Sequence, residues 1–188
     1  HVLGESLAAF AARTDADGLE RWMRQATTAP ALALRAVLDC GGRLGDSDVP
    51  TLPPMTRGQL ETILGSLAAD AGFAAAPRLD GATRETGALA RMAARPAIAG
   101  MVSRHGRGVA ARLAARVADV ARTVDALADG SMPVRLDAWS TAAGSGVAIV
   151  ETARGLLLHC AEIRDERVTG YGIVAPTEWN FQPGGPLE

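Results

Sequence analysis

Lysine is absent from this chain of 188 residues, so arginine supplies all 19 of its strongly basic side chains. The 21 acidic residues slightly outnumber them and leave a formal net charge of -2. A chain with so little net charge has no long-range field to attract a polyanion, and the sequence therefore predicts no nucleic-acid partner. Coding bias explains the exclusive use of arginine as readily as a function does.

Cysteine and histidine are also scarce. There are two cysteines, Cys40 and Cys160, and three histidines. The cysteines form no C-x-x-C pair, and no histidine lies at a spacing typical of zinc ligands, so neither a zinc site nor a redox dithiol is indicated. Two free thiols in a reducing, cytoplasmic setting are the expected state, while a disulfide between them stays open.

The third absence is a long hydrophobic run. No stretch approaches the ~20 apolar residues that a membrane span requires, and no signal sequence opens the chain, so we expect no membrane association. Aromatic residues make up 4% of a chain that is 48% hydrophobic, so the core must consist of Ala, Leu, Val and Ile. The length predicts a single domain over 1–188. Because the chain begins at His1 without methionine, we expect it to be trimmed.

Periodic apolar residues predict that residues 1–130 are helical. Thr56 and Gln59 have the spacing of a capping box at the start of one helix, and Pro96 is suited to the first position of another. The longest periodic stretch predicts about seven turns of helix that end at Gly130. Its core-facing stripe is expected to be Val109, Leu113, Val117, Val120, Val124 and Leu127.

A further helix is predicted to begin near Thr83. Glu85 would lie in its first turn, where a carboxylate interacts favourably with the helix dipole. Gly87 inside a helix costs about 1 kcal/mol relative to alanine, so it requires a packing reason such as the close approach of another backbone.

Two apolar runs on either side of 164–167 predict a β-hairpin within the region 145–183. If the runs pair, Arg154 before the first run comes back beside Pro176 and Thr177 after the second. Residues 132–140 and 144–150 suggest further strands, and an ordered loop is expected after Thr177. The expected fold class is therefore α+β and predominantly α, a helical bundle with a small antiparallel β-hairpin sheet near the C-terminus.

A two-part motif dominates the C-terminal half. Its first part is E-x-x-R-G-x-x-x-H, formed by Glu151, Arg154, Gly155 and His159. Its second part is P-T-x-W-N-x-x-P, formed by Pro176, Thr177, Trp179, Asn180 and Pro183. Upstream lies the run Glu85-Thr86-Gly87-Ala88-Leu89-Ala90-Arg91. Together these motifs resemble the large subunit of nickel-iron hydrogenases, and in particular the HupK/HoxV-type hydrogenase expression and maturation proteins, which are built like a large subunit without its full metal site.

The resemblance implies a non-catalytic scaffold or chaperone that holds or relays an Fe(CN)2(CO) unit towards the hydrogenase large subunit. Arg154 would contact one cyanide, and Thr177, which follows Pro176, would contact the other. A cyanide nitrogen in a dry pocket requires a donor, and arginine offers a charged fork that lysine does not reproduce. The family pattern has proline before the arginine, whereas this chain has Ala153.

The resemblance also implies that Glu85, Gly87 and Arg91 lie on a face turned towards this site. The expected partners are hydrogenase maturation proteins, the large subunit, or both. Two other interpretations stay open: a fragment of a catalytic large subunit, whose C-x-x-C pairs would lie outside 1–188, and a purely structural hydrogenase-associated domain. From the residues alone, Arg154 could instead pair with Glu151 or Glu178, and Trp179 with Asn180 could lock a loop over the core.

Overall fold

The C-terminal part of the chain forms a four-stranded antiparallel sheet. In the computed structural model, which describes residues 2–13, 15–70, 72–131 and 135–188, strands β1 to β4 are Leu136–Ala142, Ser145–Thr152, Gly155–Arg164 and Arg167–Val174. Each strand pairs with the next along the chain. The predicted hairpin and the additional strands are therefore confirmed.

Helices account for most of the remaining regular structure. Helices α1 to α8 are Leu7–Ala11, Ala16–Gln25, Ala29–Asp39, Arg57–Ala69, Ala88–Met92, Pro96–His105, Val109–Ala128 and Pro176–Phe181. A 3₁₀ turn lies at Phe73–Ala75. Helices and a small C-terminal sheet make the fold α+β, as predicted. Among the described residues, no helix combines the length and the hydrophobicity needed to cross a bilayer.

The turn between β3 and β4 explains why the hairpin could be predicted. Arg164 pairs with Arg167, and the two residues between them, Asp165 and Glu166, have φ angles of 49° and 60°. Two consecutive residues with positive φ are typical of the type I′ turn, whose twist matches that of the adjoining strands. The two strands are thus joined by the shortest common hairpin connection.

By its internal contacts the chain divides into two compact units. The first comprises His1–Asp48 and Arg91–Pro133, and the second comprises Val49–Ala90 and Val134–Glu188. Each unit has its own buried hydrophobic residues. The expectation of a single domain stays a prediction.

In the first unit, helices α1, α3 and α6 pack on α7. The predicted core stripe of α7 is wrong: Val109, Val120, Val124 and Leu127 are 37%, 53%, 47% and 66% exposed. Of the stripe, only Val117 is buried, and the buried face consists mainly of Ala110, Ala111, Ala114, Ala115 and Ala121. Alanine side chains allow helices to approach closely, so the larger apolar residues lie on the other side of α7.

The core of the second unit is built from α4, the sheet and α8. Its largest fully buried side chain is Trp179 of α8. The core cluster consists of Leu52, Met55, Leu60, Ile63, Leu67, Leu79, Ile149, Leu156, Leu158, Val174 and Trp179. Helix α4 begins with the predicted capping box: Gln59 Oε1 accepts a hydrogen bond from the Thr56 main-chain N–H at 3.0 Å, and Gln59 N donates to the Thr56 hydroxyl at 3.3 Å.

Two expectations about local structure are wrong. Glu85 is not in a helix: its N–H donates to Pro50 O at 2.9 Å, and its carbonyl accepts from Leu52 N at 2.7 Å, so the segment is extended and α5 begins only at Ala88. The ordered loop expected after Thr177 is wrong as far as Phe181, because these residues belong to α8, whose first turn contains Pro176; only residues 182–188 lack regular structure. In both places a backbone pairing or a fixed proline φ decided the structure.

Candidate functional site

Arg154 lies in the two-residue turn between β2 and β3. Thr152 pairs with Gly155 at the end of the ladder, and Ala153 and Arg154 form the tip. The Thr152 hydroxyl donates to Gly155 O at 2.8 Å and accepts from Arg154 N at 3.3 Å. One threonine side chain therefore bonds to both sides of the turn and holds its backbone.

Two glycines allow the backbone before α5 to lie directly against this turn. Gly155 has a φ of +133°, and a Cβ at this position would lie 2.6 Å from Thr86 Oγ1 and 2.9 Å from Gly87 N. Gly87 has a φ of +124°, and its Cβ would lie 3.1 Å from Arg154 O. A side chain at Gly155 would collide with the opposite backbone and would also require a φ that L-residues rarely adopt.

Thr86 connects this turn to α8. Its hydroxyl, in a side chain that is only 5% exposed, accepts a hydrogen bond from Leu156 N at 3.0 Å. Its main-chain N–H donates to Asn180 Oδ1 at 2.9 Å, and its carbonyl accepts from Asn180 Nδ2 at 3.1 Å. The Asn180 amide thus bonds to the N–H and the carbonyl of one residue, as a neighbouring strand would, and three segments of the second unit meet at Thr86.

Helix α8 is itself fixed in the core. Trp179 is fully buried, and the half of α8 that carries Asn180 continues into Gln182, which is 2% exposed. The Gln182 side chain donates to Pro77 O at 2.9 Å. Asn180 therefore extends from a helix that is held in the core, and the burial of Trp179 agrees with the alternative in which Trp179 and Asn180 fix this segment over the core.

The Arg154 guanidinium has no bonded partner in the part of the chain that the structure describes. Within the described residues, its side chain makes no hydrogen bond or ion pair, and it is exposed. Thr177, in the first turn of α8, is exposed as well, whereas Pro176 before it is buried. In the part of the chain that the structure describes, no hydrogen bond joins Arg154 to Thr177, and these residues alone form no dry pocket.

The sequence model of the nickel-dependent hydrogenase family matches residues 81–186, which contain this turn, Thr86 and α8. The chain belongs to the nickel-dependent hydrogenase family.

Two curated relatives are named as hydrogenase expression/formation proteins. The chain is 38% identical over 157 residues to the hydrogenase expression/formation protein HupK of Bradyrhizobium diazoefficiens, a match that covers 81% of this chain and 42% of HupK. It is 32% identical over 183 residues to the hydrogenase expression/formation protein HoxV of Cupriavidus necator, covering 90% of this chain and 45% of HoxV. The chain therefore spans less than half the length of these relatives.

Among solved structures, the nickel-iron-selenium hydrogenase of D. vulgaris Hildenborough in its reduced state aligns with 60% of this chain and 30% of its own. The sequence identity is 24% and the TM-score is 0.43.

Two other residues of the hydrogenase motif lie on the sheet near the turn. Glu151 is half-buried near the end of β2, where its N–H donates to Arg135 O at 2.8 Å. His159 lies opposite Ala148 and Ile173 in the ladders, and its Nδ1 shares a 2.6 Å hydrogen bond with the Tyr171 hydroxyl. The His159 ring is thus engaged with a neighbouring strand.

Arg91 of the upstream hydrogenase signature is held by a carboxylate of the first unit. Its Nε and Nη2 lie 3.1 Å and 2.6 Å from Asp119 Oδ2, and Arg122 Nη2 lies 3.1 Å from Asp119 Oδ1. Burial alone would raise the pKa of Asp119, but the hydrogen bonds and charges of the two arginines outweigh it and lower this pKa below its ordinary value. The pair is a structural contact, and Asp119 is a residue whose importance the sequence did not reveal.

The described residues contain no cluster of side chains that could ligate a metal ion. Across residues 2–13, 15–70, 72–131 and 135–188, no group of three or more His, Cys, Asp or Glu side chains is arranged to hold a metal ion. Cys160 is half-buried on β3, and burial raises the pKa of its thiol. Cys40 is exposed. The chemistry available at the turn is therefore hydrogen-bond donation by a guanidinium.

Proposed function

We propose that the chain acts in the maturation of nickel-iron hydrogenases as a non-catalytic scaffold that holds or relays an Fe(CN)2(CO) unit towards the hydrogenase large subunit. Support comes from its membership of the nickel-dependent hydrogenase family and from relatives named as hydrogenase expression/formation proteins. The iron unit is cargo in this proposal, and no step of catalysis is assigned to the chain.

The observation that carries the proposal is an unpaired guanidinium on a fixed turn. The backbone around Arg154 is held by Thr152, by the two glycines and by Thr86, whereas its side chain has no partner among the described residues. A buried or paired arginine has a structural explanation, whereas Arg154 is exposed and is not paired with any described residue. Its charged donors suit the cyanide nitrogens of the iron unit, which are acceptors with partial negative charge.

The second donor in the proposal is the Thr177 hydroxyl. Pro176, buried at the start of α8, fixes the backbone that leads into Thr177. A hydroxyl can donate one hydrogen bond to a second cyanide nitrogen, while a carbonyl ligand requires only apolar contact. Arg154 and Thr177 would thus act as two separate donors on the cargo.

Exposure of both donors is consistent with transfer rather than permanent storage. A guanidinium open to water gains only modest energy from an anionic partner, because water competes for the same bonds. A hydrogenase large subunit or another maturation protein docked over the turn would exclude that water and strengthen the donors during handover. The partner's surface, in this proposal, completes the dry pocket.

Infrared spectroscopy tests the proposal. Protein purified from cells that make the iron unit is expected to show cyanide and carbonyl stretches. In Arg154→Lys, which keeps the charge but loses the planar fork, the cyanide bands should weaken or shift. If wild-type protein from such cells shows neither type of band, whether alone or with the large subunit bound, the proposed carriage of the iron unit is wrong.

A further inference from the structure

We propose that Thr86 and Asn180 are positioning residues that fix the turn carrying Arg154 and so set the region that its guanidinium can reach. This inference rests on the proposed function, because that region matters only if the guanidinium receives a cargo. Neither residue contacts the guanidinium itself; both act through the backbone of the turn.

The first argument is the series of hydrogen bonds that runs from α8 to β3. The Asn180 amide accepts from Thr86 N at 2.9 Å and donates to Thr86 O at 3.1 Å, and the Thr86 hydroxyl accepts from Leu156 N at 3.0 Å. Leu156 is two residues beyond Arg154, in the first ladder pairs of β3. If Asn180 were displaced, Thr86 would therefore shift with it, and the backbone of β3 next to the turn would shift as well.

The second argument is the close packing of the backbone at Gly155 against the backbone at Thr86 and Gly87. The Gly155 backbone lies so close to Thr86 and Gly87 that even a methyl group does not fit, and the carbonyl of Arg154 faces Gly87. With no intervening side chain, the two backbones cannot move apart or together without a change in the turn. Thr86 is thus in direct contact with the element that it would position.

The third argument is the freedom of the Arg154 side chain. Because no described residue bonds to the guanidinium, no neighbour can orient it. The backbone of the turn then sets where the flexible side chain starts and, through the Cα–Cβ bond, which region its guanidinium can reach. The residues that fix this backbone therefore limit the space that the donor can sample.

A set of variants separates positioning from general stability. Thr86→Val keeps the shape of the buried side chain but removes the acceptor for Leu156 N, whereas Thr86→Ser retains the hydroxyl and serves as the conservative rescue. Asn180→Asp keeps an acceptor for Thr86 N but loses the donor to Thr86 O. The turn at Asp165 and Glu166, which none of these bonds touches, is the internal reference.

The first measurement needs no cargo. Backbone ¹⁵N relaxation of the wild type should give Arg154 an order parameter of roughly 0.85, which is typical of rigid backbone, and Thr86→Val should lower it below about 0.6. Exchange of the Leu156 amide should accelerate at least about tenfold in Thr86→Val and not in Thr86→Ser. Asp165 and Glu166 should keep their wild-type values. An Arg154 amide that stays rigid in both Thr86→Val and Asn180→Asp would overturn the inference.

The second measurement uses protein from cells that make the iron unit. If Arg154→Ala and Thr86→Val both lose the cyanide bands and Thr86→Ser keeps them, positioning and carriage are both supported. If Thr86→Val keeps bands that Arg154→Ala loses, the positioning role is wrong while carriage stands. If the wild type has no bands, carriage fails, and the relaxation data alone decide whether Thr86 and Asn180 fix the turn. Should Thr86→Val not fold, Asn180→Asp supplies both comparisons.

Discussion

Replacing Gly155 by alanine should destabilise the second unit far more than an ordinary glycine substitution. The added Cβ would lie 2.6 Å from Thr86 Oγ1 and 2.9 Å from Gly87 N, at a φ of +133°. A positive φ costs an L-residue roughly 1–2 kcal/mol, overpacking typically costs about 1–3 kcal/mol, and the loss of the buried Leu156–Thr86 hydrogen bond costs about 1–3 kcal/mol. We expect a total loss of roughly 3–8 kcal/mol, a large part of the ~5–15 kcal/mol that typically stabilises a domain.

Gly81→Ala is the matched control for this experiment. Gly81 lies in the same unit and has a φ of +76°, but a Cβ there would meet no atom within 4 Å. It should therefore show the backbone strain without the collision. Urea unfolding in a Trp22→Phe background, where fluorescence reports only Trp139 and Trp179 of the second unit, measures the difference. If Gly155→Ala is as stable as Gly81→Ala, the close approach of Thr86 to the turn is refuted.

Three further predictions follow from the charges and thiols. Asp119→Ala should destabilise the first unit by about 3–5 kcal/mol, because it removes the carboxylate to which both Arg91 and Arg122 donate in a largely buried ion pair. Glu61→Ala, at an exposed ion pair, should cost less than about 1 kcal/mol, and equal losses in urea unfolding would contradict the difference. Because the pKa of Asp119 is lowered in the folded state, the ionised carboxylate contributes its full share to the free energy of unfolding above the unfolded pKa of about 3.9, and this share should disappear as the pH falls through the lower folded pKa. In acid titrations, Asp119→Asn should lack this loss of stability. Iodoacetamide should modify the exposed Cys40 before the half-buried Cys160, whose pKa is raised by burial; mass spectrometry would contradict this if Cys160 reacted first.

Local chemistry was sufficient to predict much of the fold. The capping box at Thr56, the helix start at Pro96 and the hairpin around 164–167 each depend on a few neighbouring residues, and each is present. The predicted core stripe on α7 is wrong because the buried face is formed by small residues such as Ala110 and Ala114, whereas most of the valines are exposed. In a helix so rich in alanine, close helix packing decides which face is buried.

The candidate site could be predicted only in part. The resemblance directs attention to Arg154, Thr177 and Asn180, but the contact between Thr86 and Asn180 joins residues 94 positions apart, and no local pattern reports such a pairing. The charge of Glu85 suits the start of a helix, but its hydrogen bonds to Pro50 O and Leu52 N hold the residue extended. Tertiary hydrogen bonds overrode the local preference there.

The central claim is that the Arg154 guanidinium holds the iron unit. It is tested most directly by the intensity of the cyanide stretches, per mole of protein, in Arg154→Ala compared with Arg164→Ala. Both proteins must come from cells that make the iron unit. Arg164 lies beside the turn between β3 and β4 and has a side chain that is 77% exposed. Its replacement therefore removes the same charge elsewhere on the sheet. The account predicts that the bands disappear in Arg154→Ala and keep their wild-type intensity in Arg164→Ala; equal intensity in the two variants would contradict it.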